Sequence, residues 1–434
     1  MTRHLGLFAA TSILVGGVVG SGIFLVPGEM LRAAGSVPLM MAVWLAAGAL
    51  SFLGALIFAE LGSRFPEAGG EYVYLREAFG QGVAFVYGWT LFAVIQSGSL
   101  AAVAVAFGEY AARAWGGGRP GLWAAVLLLA AGLVNMRTAR VAVALQASVT
   151  VTKCLALGAL CLAVFVAPGR DLTALRAGTG DSTPSWSGFG LAMLAALWAY
   201  DGWNAVSLVA GEVREPRRNL PRALLGGLGL VVILYLLTSS AYVVCLGPDR
   251  VAASRQLAAD LGARVLGDPG ERLMAALIAL STGGTVLGMM LTCPRTYYAM
   301  ARDGVFLRAA GTIHPRWGTP HVAVVLQLAW AFLLLALGTF ETLLAYVMFS
   351  NFFFYGLTAA GLPVVRRAGG SGGFSVPGYP WTPAVFVAAC AVLTANSLWA
   401  DPASSATGLA LMVSGLPIYF WTRGRPGTTT GTDP

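Results

Sequence analysis

The stretch GGVVGSGIFLVP, residues 16–27, sets Gly16, Gly17, Gly20 and Gly22 inside an apolar run that begins near residue 7. Each glycine weakens a helix interior by about 1 kcal/mol relative to alanine, so a helix is expected to come apart here. Unwound backbone at membrane depth persists only where protein covers it or where it lines a cavity. A half-helix restarting near Gly22–Phe24 would aim free N–H groups and a positive dipole end at that cavity, a setting that suits a carboxylate. The same glycines also fit a close-packing small-xxx-small face from Gly16 to Gly20, and the sequence leaves both readings open.

The rest of the chain is composed for a bilayer. Of 434 residues, 57 % are hydrophobic and 11 % charged, against about 25 % charged in soluble domains. The mean hydropathy is +0.74, and apolar runs long enough to span a membrane recur throughout. No room is left for a sizeable soluble domain. Residues 5–31 lack a small-residue cleavage pattern and read as a first span rather than a signal peptide. The net charge of +8 comes without a basic stripe carrying interleaved aromatics, which argues against a nucleic-acid partner. Cys154, Cys161, Cys245, Cys293 and Cys390 all fall in apolar segments. They read as small core residues, so neither a disulfide framework nor a metal or cofactor site is expected.

Polar, Pro- and Gly-rich breaks divide the chain into about twelve helical spans. They lie near 7–31, 37–63, 80–112, 121–136, 139–167 and 187–210, then near 221–246, 271–300, 321–338, 341–365, 381–398 and 404–422. With the N-terminus inside, the inner loops and tails collect seventeen arginines and the outer loops nine. That bias predicts both termini on the cytoplasmic side of a cell (inner) membrane. The outer arginines sit mostly in two longer loops, 168–186 and 247–270. Glu29, Glu60 and Glu109 lie near span ends and are expected to reach interfacial water. Gly369–Gly373 reads as a flexible inner linker.

The sixth span, LAALWAYDGWNAVSLVAGE (194–212), contains a second interruption. Asp201, Gly202 and Asn204 favour turns over helix interiors, so a break is predicted there, with freed carbonyls able to receive an ammonium group. Breaks in the first helix of each of two five-helix halves point to an inverted-repeat transporter. The expected fold is all-α and polytopic. Residues 1–167 form the first repeat and 187–365 the second; spans 381–422 and a tail at 423–434 follow.

GSGIF (20–24), PEAGGEYVYLREAFG (66–80), AYDGWN (199–204), EPRRNLPRAL (215–224) and MARDG (300–304) together resemble the amino acid–polyamine–organocation superfamily. The PEAGGEY and RNLPRAL runs are most similar to its L-type amino acid transporter branch and bacterial homologues. The resemblance covers nearly the whole chain. It implies that the substrate carboxylate binds at Gly20, Ser21 and Gly22. It places the amine at carbonyls around Val18 and at Trp198, Ala199 and Asp201. Trp198 matches an outer gate that is usually Phe in the family, or it is simply a core tryptophan. Asn204 matches an asparagine that supports the bound amino acid. For Asp201 three roles remain: pairing with the substrate amine, titrating with a proton, or holding the break through nearby backbone amides. The last is favoured.

Lys153 is the only lysine in the chain and lies inside the apolar run SVTVTKCLALGALCLAVF, 148–165. It falls about 21 Å along a helix beginning near Ala139, too deep to snorkel fully to water. An ionisable residue at that depth normally faces the bundle interior and a partner, although a lysine merely sited between helices is the plainer reading. Sodium-coupled relatives place a sodium ion in a niche made by the first-helix break and eighth-helix hydroxyls, here Ser281, Thr282 and Thr285. Sodium-independent L-type relatives have lysine in the fifth helix and tyrosine in the seventh, here Tyr235. The resemblance thus implies that Lys153 fills the niche and anchors the first helix.

The expected activity is sodium-independent exchange of neutral amino acids by alternating access. The alternative is a proton-coupled symporter of amino acids, including cationic ones or polyamines, with Asp201 or Lys153 as carrier. A neutral substrate is preferred because the pocket shows no second deep acidic residue. An intramembrane hydrolase needs a nucleophile and base within the bilayer. His4, His314 and His321 all lie in loops or termini, so no enzyme is expected. The loop RAWGGGRPG (113–121) has no cysteine, so a disulfide-linked heavy subunit is not expected. Arg217, Arg218 and Arg222, with the 64–77 and 302–316 loops, are expected either to form an inner electrostatic latch or to serve topology alone.

Overall fold

The computed structural model describes residues 3–137, 139–166, 170–178, 185–254, 257–337, 340–369, 373–400 and 402–423. The tail beyond 423 and most of the 369–373 linker lie outside them. Among the described residues the chain is all helix and connection, with two isolated bridges and no strand.

The first span is a broken pair, α1 (Leu7–Val18) and α2 (Gly22–Ala34), bent by 47°. Gly35 ends α2 with φ 72°, and Ser36 caps α3 (Val37–Arg64) by accepting from the Leu39 N–H at 3.4 Å. The short α4 (Glu71–Phe79) lies between spans. Then come α5 (Gln81–Thr90) and α6 (Gln96–Ala114), joined through a π turn at 91–95, followed by α7 (Pro120–Arg137) and α8 (Ala139–Val166).

In the second half, α9 (Trp186–Tyr200) is capped by the Ser185 hydroxyl on the Gly188 N–H and stops at Asp201. Only a short α10 (Ala205–Leu208) and a 3₁₀ turn at 210–212 follow, so the second part of this span is shorter than the expected run to residue 210. Next, α11 (Pro216–Leu246) starts on Pro216, which lacks only an N–H that the first turn does not use. The region expected as an outer loop, 247–270, instead forms α12 (Pro248–Ala253) and α13 (Leu257–Leu266). The chain continues with α14 (Asp268–Thr292), α15 (Pro294–Arg302), α16 (His321–Leu337) and α17 (Phe340–Arg367). It closes with α18 (Trp381–Ala400), α19 (Pro402–Val413) and α20 (Leu416–Arg423).

Helices fall in each of the twelve expected segments. Among the described residues, eight are long and apolar enough to cross a bilayer, and the bent α1–α2 pair makes a ninth. Leu155, Leu162, Ile233 and Val392 point outward and exposed. Such outward apolar faces suit lipid contact, whereas Ser12, Thr150, Lys153, Thr238, Ser281 and Thr285 are buried. This inversion lets polar groups meet freed backbone inside the bundle. In it, α1 packs against α8, α11 and α14, and α2 packs against α9. The two breaks therefore lie side by side.

Candidate functional site

The first break opens at Val19–Ser21, not at the first two glycines. Gly16 and Gly17 stay helical in α1. A Cβ on Gly16 would meet Gln146 Nε2 at 2.2 Å and Thr150 Oγ1 at 2.4 Å, so this glycine serves close packing of α1 on α8. The break forms as the first reading expects, whereas of the small-xxx-small face only Gly16 packs closely, because Gly20 lies in the break. Carbonyls released at the break find donors on three other helices. Lys153 Nζ donates to Gly16 O at 2.8 Å and also to Val19 O. Ser281 Oγ lies between Val19 O and Gly20 O, at 2.9 and 3.2 Å. Thr285 Oγ1 reaches Gly16 O at 3.2 Å. On the other side, the N–H groups of Ser21, Gly22 and Ile23 have no partner among the described residues. They are the orphan donors of a helix start.

The second break runs from Asp201 to Asn204. Gly202 takes φ +94°, a left-handed conformation that costs glycine little, and its carbonyl lies 3.5 Å from the Cβ position of Gly17. Gly22 lets α2 press on the end of α9, since a Cβ there would sit 2.9 Å from Ala199 Cα. The Tyr235 hydroxyl lies between Val18 O (2.9 Å) and Ala199 O (2.8 Å), tying the two breaks together.

A cavity of about 220 Å³ opens at this junction, away from the face that carries the N-terminus. Val18, Gly20, Ser21 and Gly22 line it from one break; Trp198, Ala199 and Asp201 line it from the other; Thr285 contributes from α14. Lys153, Tyr235 and Ser281 stand behind its wall, bonded to the broken backbone. Thr282 does not join them. Its hydroxyl bonds Ile278 O (2.8 Å) and Ala279 O (3.1 Å) of its own helix, because one residue beyond Ser281 it faces away from α1.

A smaller chamber of about 70 Å³ shares Gly17, Ser99, Asp201 and Met289 with this cavity and lies on its N-terminal side. Glu71, Tyr87, Gln96, Asn204, Asn351 and Tyr355 line it. Glu71 is the second deep acid that the sequence reading denied. It is 1 % exposed, accepts from Thr358 Oγ1 at 2.9 Å and from Asn204 Nδ2 at 3.3 Å, and is also hydrogen-bonded by Tyr87. Burial raises its carboxyl to about 8, against those hydrogen bonds and with a push from Asp201. No cation pairs with it among the described residues. Its signal was the second of the two glutamates in PEAGGEY, in a stretch that falls between two spans. Asp201 is bonded by the Gly202 N–H, as expected, yet its side-chain donors come from α17: Tyr355 at 2.8 Å and Asn351 at 3.0 Å. It moors the break to a neighbouring helix as well as shaping it.

The N-terminal face is sealed by ion pairs, one of which joins the 64–77 and 302–316 loops of the expected latch, but without its arginines at 217, 218 and 222. Arg295 and Glu212, both almost fully buried, meet at 2.8 Å. Arg76 binds Asp303 at 2.8 Å with Glu67 and Glu77 nearby. Glu60 does not reach water: it is fully buried and held by Arg64, Arg366 and the Val376 N–H. The Leu5 and Arg214 backbones add a bridge across the same face. Among the described residues Arg217 and Arg222 form no ion pair, and Arg218 meets only the exposed Glu215 at 3.5 Å. They line a cleft between the first turns of α11 and Gly373–Phe374 instead. All five cysteines are unpaired, and no metal-binding group of His, Cys, Asp or Glu occurs among the described residues.

A family profile described as amino acid permease matches residues 5–422. The large neutral amino acids transporter small subunit 2 of Rattus norvegicus is 33 % identical, over 97 % of this chain and 80 % of its own. The b(0,+)-type amino acid transporter 1 of Mus musculus is 34 % identical, over 84 % of this chain and 76 % of its own. The serine/threonine exchanger SteT of Bacillus subtilis (strain 168) is 28 % identical, over 97 % of both chains.

Proposed function

From the premise that this chain belongs to the amino acid permease family, we propose that it exchanges neutral amino acids without sodium, by alternating access. The observation that carries the reading is the Lys153 ammonium on Gly16 O and Val19 O. A cation fixed in the chain occupies the oxygens that a sodium ion would need, so no driving ion is bound and uptake depends on counter-substrate.

The geometry supports a zwitterion at the junction. The free N–H groups of Ser21, Gly22 and Ile23 and the positive end of α2 suit a carboxylate. Each carbonyl has two lone pairs, so Ala199 O keeps acceptor capacity beside Tyr235 for an ammonium group, with Asp201 at hand, whereas Val18 O already accepts from both Tyr235 and the Gly20 N–H. The side chain then points to the smaller chamber, and Trp198 closes the larger cavity from outside. We read 1–167 and 187–365 as inverted repeats, the N-terminal face as cytoplasmic, and the bilayer as a cell membrane. The loop at 113–121 supplies no cysteine for a covalent heavy subunit.

Counterflow in proteoliposomes tests the reading. Labelled serine, threonine or leucine is expected to enter vesicles preloaded with unlabelled amino acid and not empty ones, with no response to a sodium gradient. Uptake into empty vesicles driven by sodium or by a proton gradient would refute exchange.

A further inference from the structure

We propose that the cleft at the start of α11 binds an anionic phospholipid, its phosphate held by Arg217, Arg218 and Arg222 and an acyl chain laid along the exposed face of the helix. The cleft measures about 590 Å³ and lies between the first turns of α11 and Gly373–Phe374, with Pro221 and Leu225 as apolar wall. Four other arginines on this face, Arg64, Arg76, Arg295 and Arg366, are neutralised by Glu60, Asp303 and Glu212. Arg217 and Arg222 have no carboxylate within ion-pair distance among the described residues. The Arg218–Glu215 contact joins two side chains that are each more than 60 % exposed, which makes it weak. Three guanidinium groups within six residues, at the positive end of a 31-residue helix, are left to meet an anion from outside the protein.

The helix surface says which anion. Exposed positions 218, 222, 226, 230, 233 and 237 recur at steps of four and three residues and so share one face. The arginines stand at its start, and Leu230, Ile233 and Leu237 continue it, 42–56 % exposed. Half of a ~30 Å hydrocarbon core equals about ten residues of helix. A phosphate at Arg222 therefore puts the end of an acyl chain near Ile233. Gly226 keeps the track open, since nothing lies within 4 Å of a Cβ built there. A free phosphate would use the arginines but not the apolar track. A soluble protein partner would not follow the stripe to bilayer depth.

Native mass spectrometry of the full chain, released from nanodiscs holding equal phosphatidylglycerol and phosphatidylcholine, tests the site. Selective retention of phosphatidylglycerol is expected. Substituting all three arginines by Gln should weaken it roughly a hundredfold, and Arg222→Gln alone should give a partial loss that can be read even if the triple variant misfolds. Gly226→Trp fills the track without touching the arginines and should also reduce retention. Equal retention of both lipids, or wild-type retention in the arginine variants, overturns the proposal. So does full displacement by millimolar inorganic phosphate with Gly226→Trp unchanged, which would mark a free-anion site. A change of oligomeric state without a change in lipid would assign the face to a second copy, and likewise overturns it.

Discussion

The Lys153 ammonium lies 2.8 Å from the carbonyl oxygen of Gly16, joining residues 137 apart in the chain. The α8 side chain thereby ties the open end of α1 through two of its freed carbonyls. Ser281 and Thr285 also donate to these carbonyls, so the break survives without the lysine but loses its rigid tie.

Replacing Lys153 with Ala should therefore slow exchange at least tenfold, about 1.4 kcal/mol in barrier, while KM moves less than threefold. The tie matters most when α1 must move as a unit. Steady-state counterflow over a range of serine concentrations checks this. Losses shared equally between turnover and binding would refute the anchoring role.

Tyr235→Phe removes one hydroxyl that serves two carbonyls, on Val18 and Ala199. Val18 O keeps the Gly20 N–H at 2.8 Å, but Ala199 O loses its donor, and a buried polar group left unmade costs about 1–3 kcal/mol. The melting temperature should drop, and apparent substrate affinity should weaken by tenfold or more because the breaks no longer hold a common register. A variant with unchanged affinity would show that the hydroxyl plays no part in the site.

Gly22→Ala tests the contact between the halves more severely. The new Cβ would sit 2.9 Å from both Cα and Cβ of Ala199, and neither backbone nor a methyl group can swing away. α2 must shift, carrying its orphan N–H groups with it. Substrate binding is expected to fail in a protein that still elutes as a folded species. Normal binding would mean that the carboxylate is not read at this helix start.

Most of this arrangement was legible in the sequence because it is written in local terms. Glycines clustered in an apolar run, turn formers at 201–204 and a lone deep lysine each break a helical or lipid rule in place. The errors came from contacts made at a distance. Glu60 was assigned to interfacial water because its span ends at Arg64, but Arg366 arrives from 306 residues away to bury it. Asp201 gave no hint of its mooring to Asn351 and Tyr355. For the arginines at 217–222 charge alone left a latch and a topological role equally open; their place in a cleft against Gly373–Phe374 is a property of the folded chain.

Glu71 was missed for the same reason, and it supports the last prediction. Its carboxyl, ordinarily near 4.5, rises to about 8 through burial, so between these values the folded chain keeps a proton that the unfolded chain has released. With fewer protons bound in the unfolded state, stability falls as pH rises through that window, by up to about 1.4 kcal/mol per unit for one proton, and levels off above it. Asp201 across the chamber adds to the cost of the anion, and the nearby titratable hydroxyls of Tyr74, Tyr87 and Tyr355 and the Cys390 thiol bring no positive charge. Glu71→Gln keeps the shape and mimics the neutral acid. Its thermal midpoint in detergent should therefore gain on the wild type steadily from about pH 5 to 8. The same variant should hold its exchange rate above pH 8, where the wild type declines. Parallel melting curves for the two proteins across this range would show that Glu71 is ionised throughout, its charge satisfied by Thr358, Tyr87 and Asn204 alone.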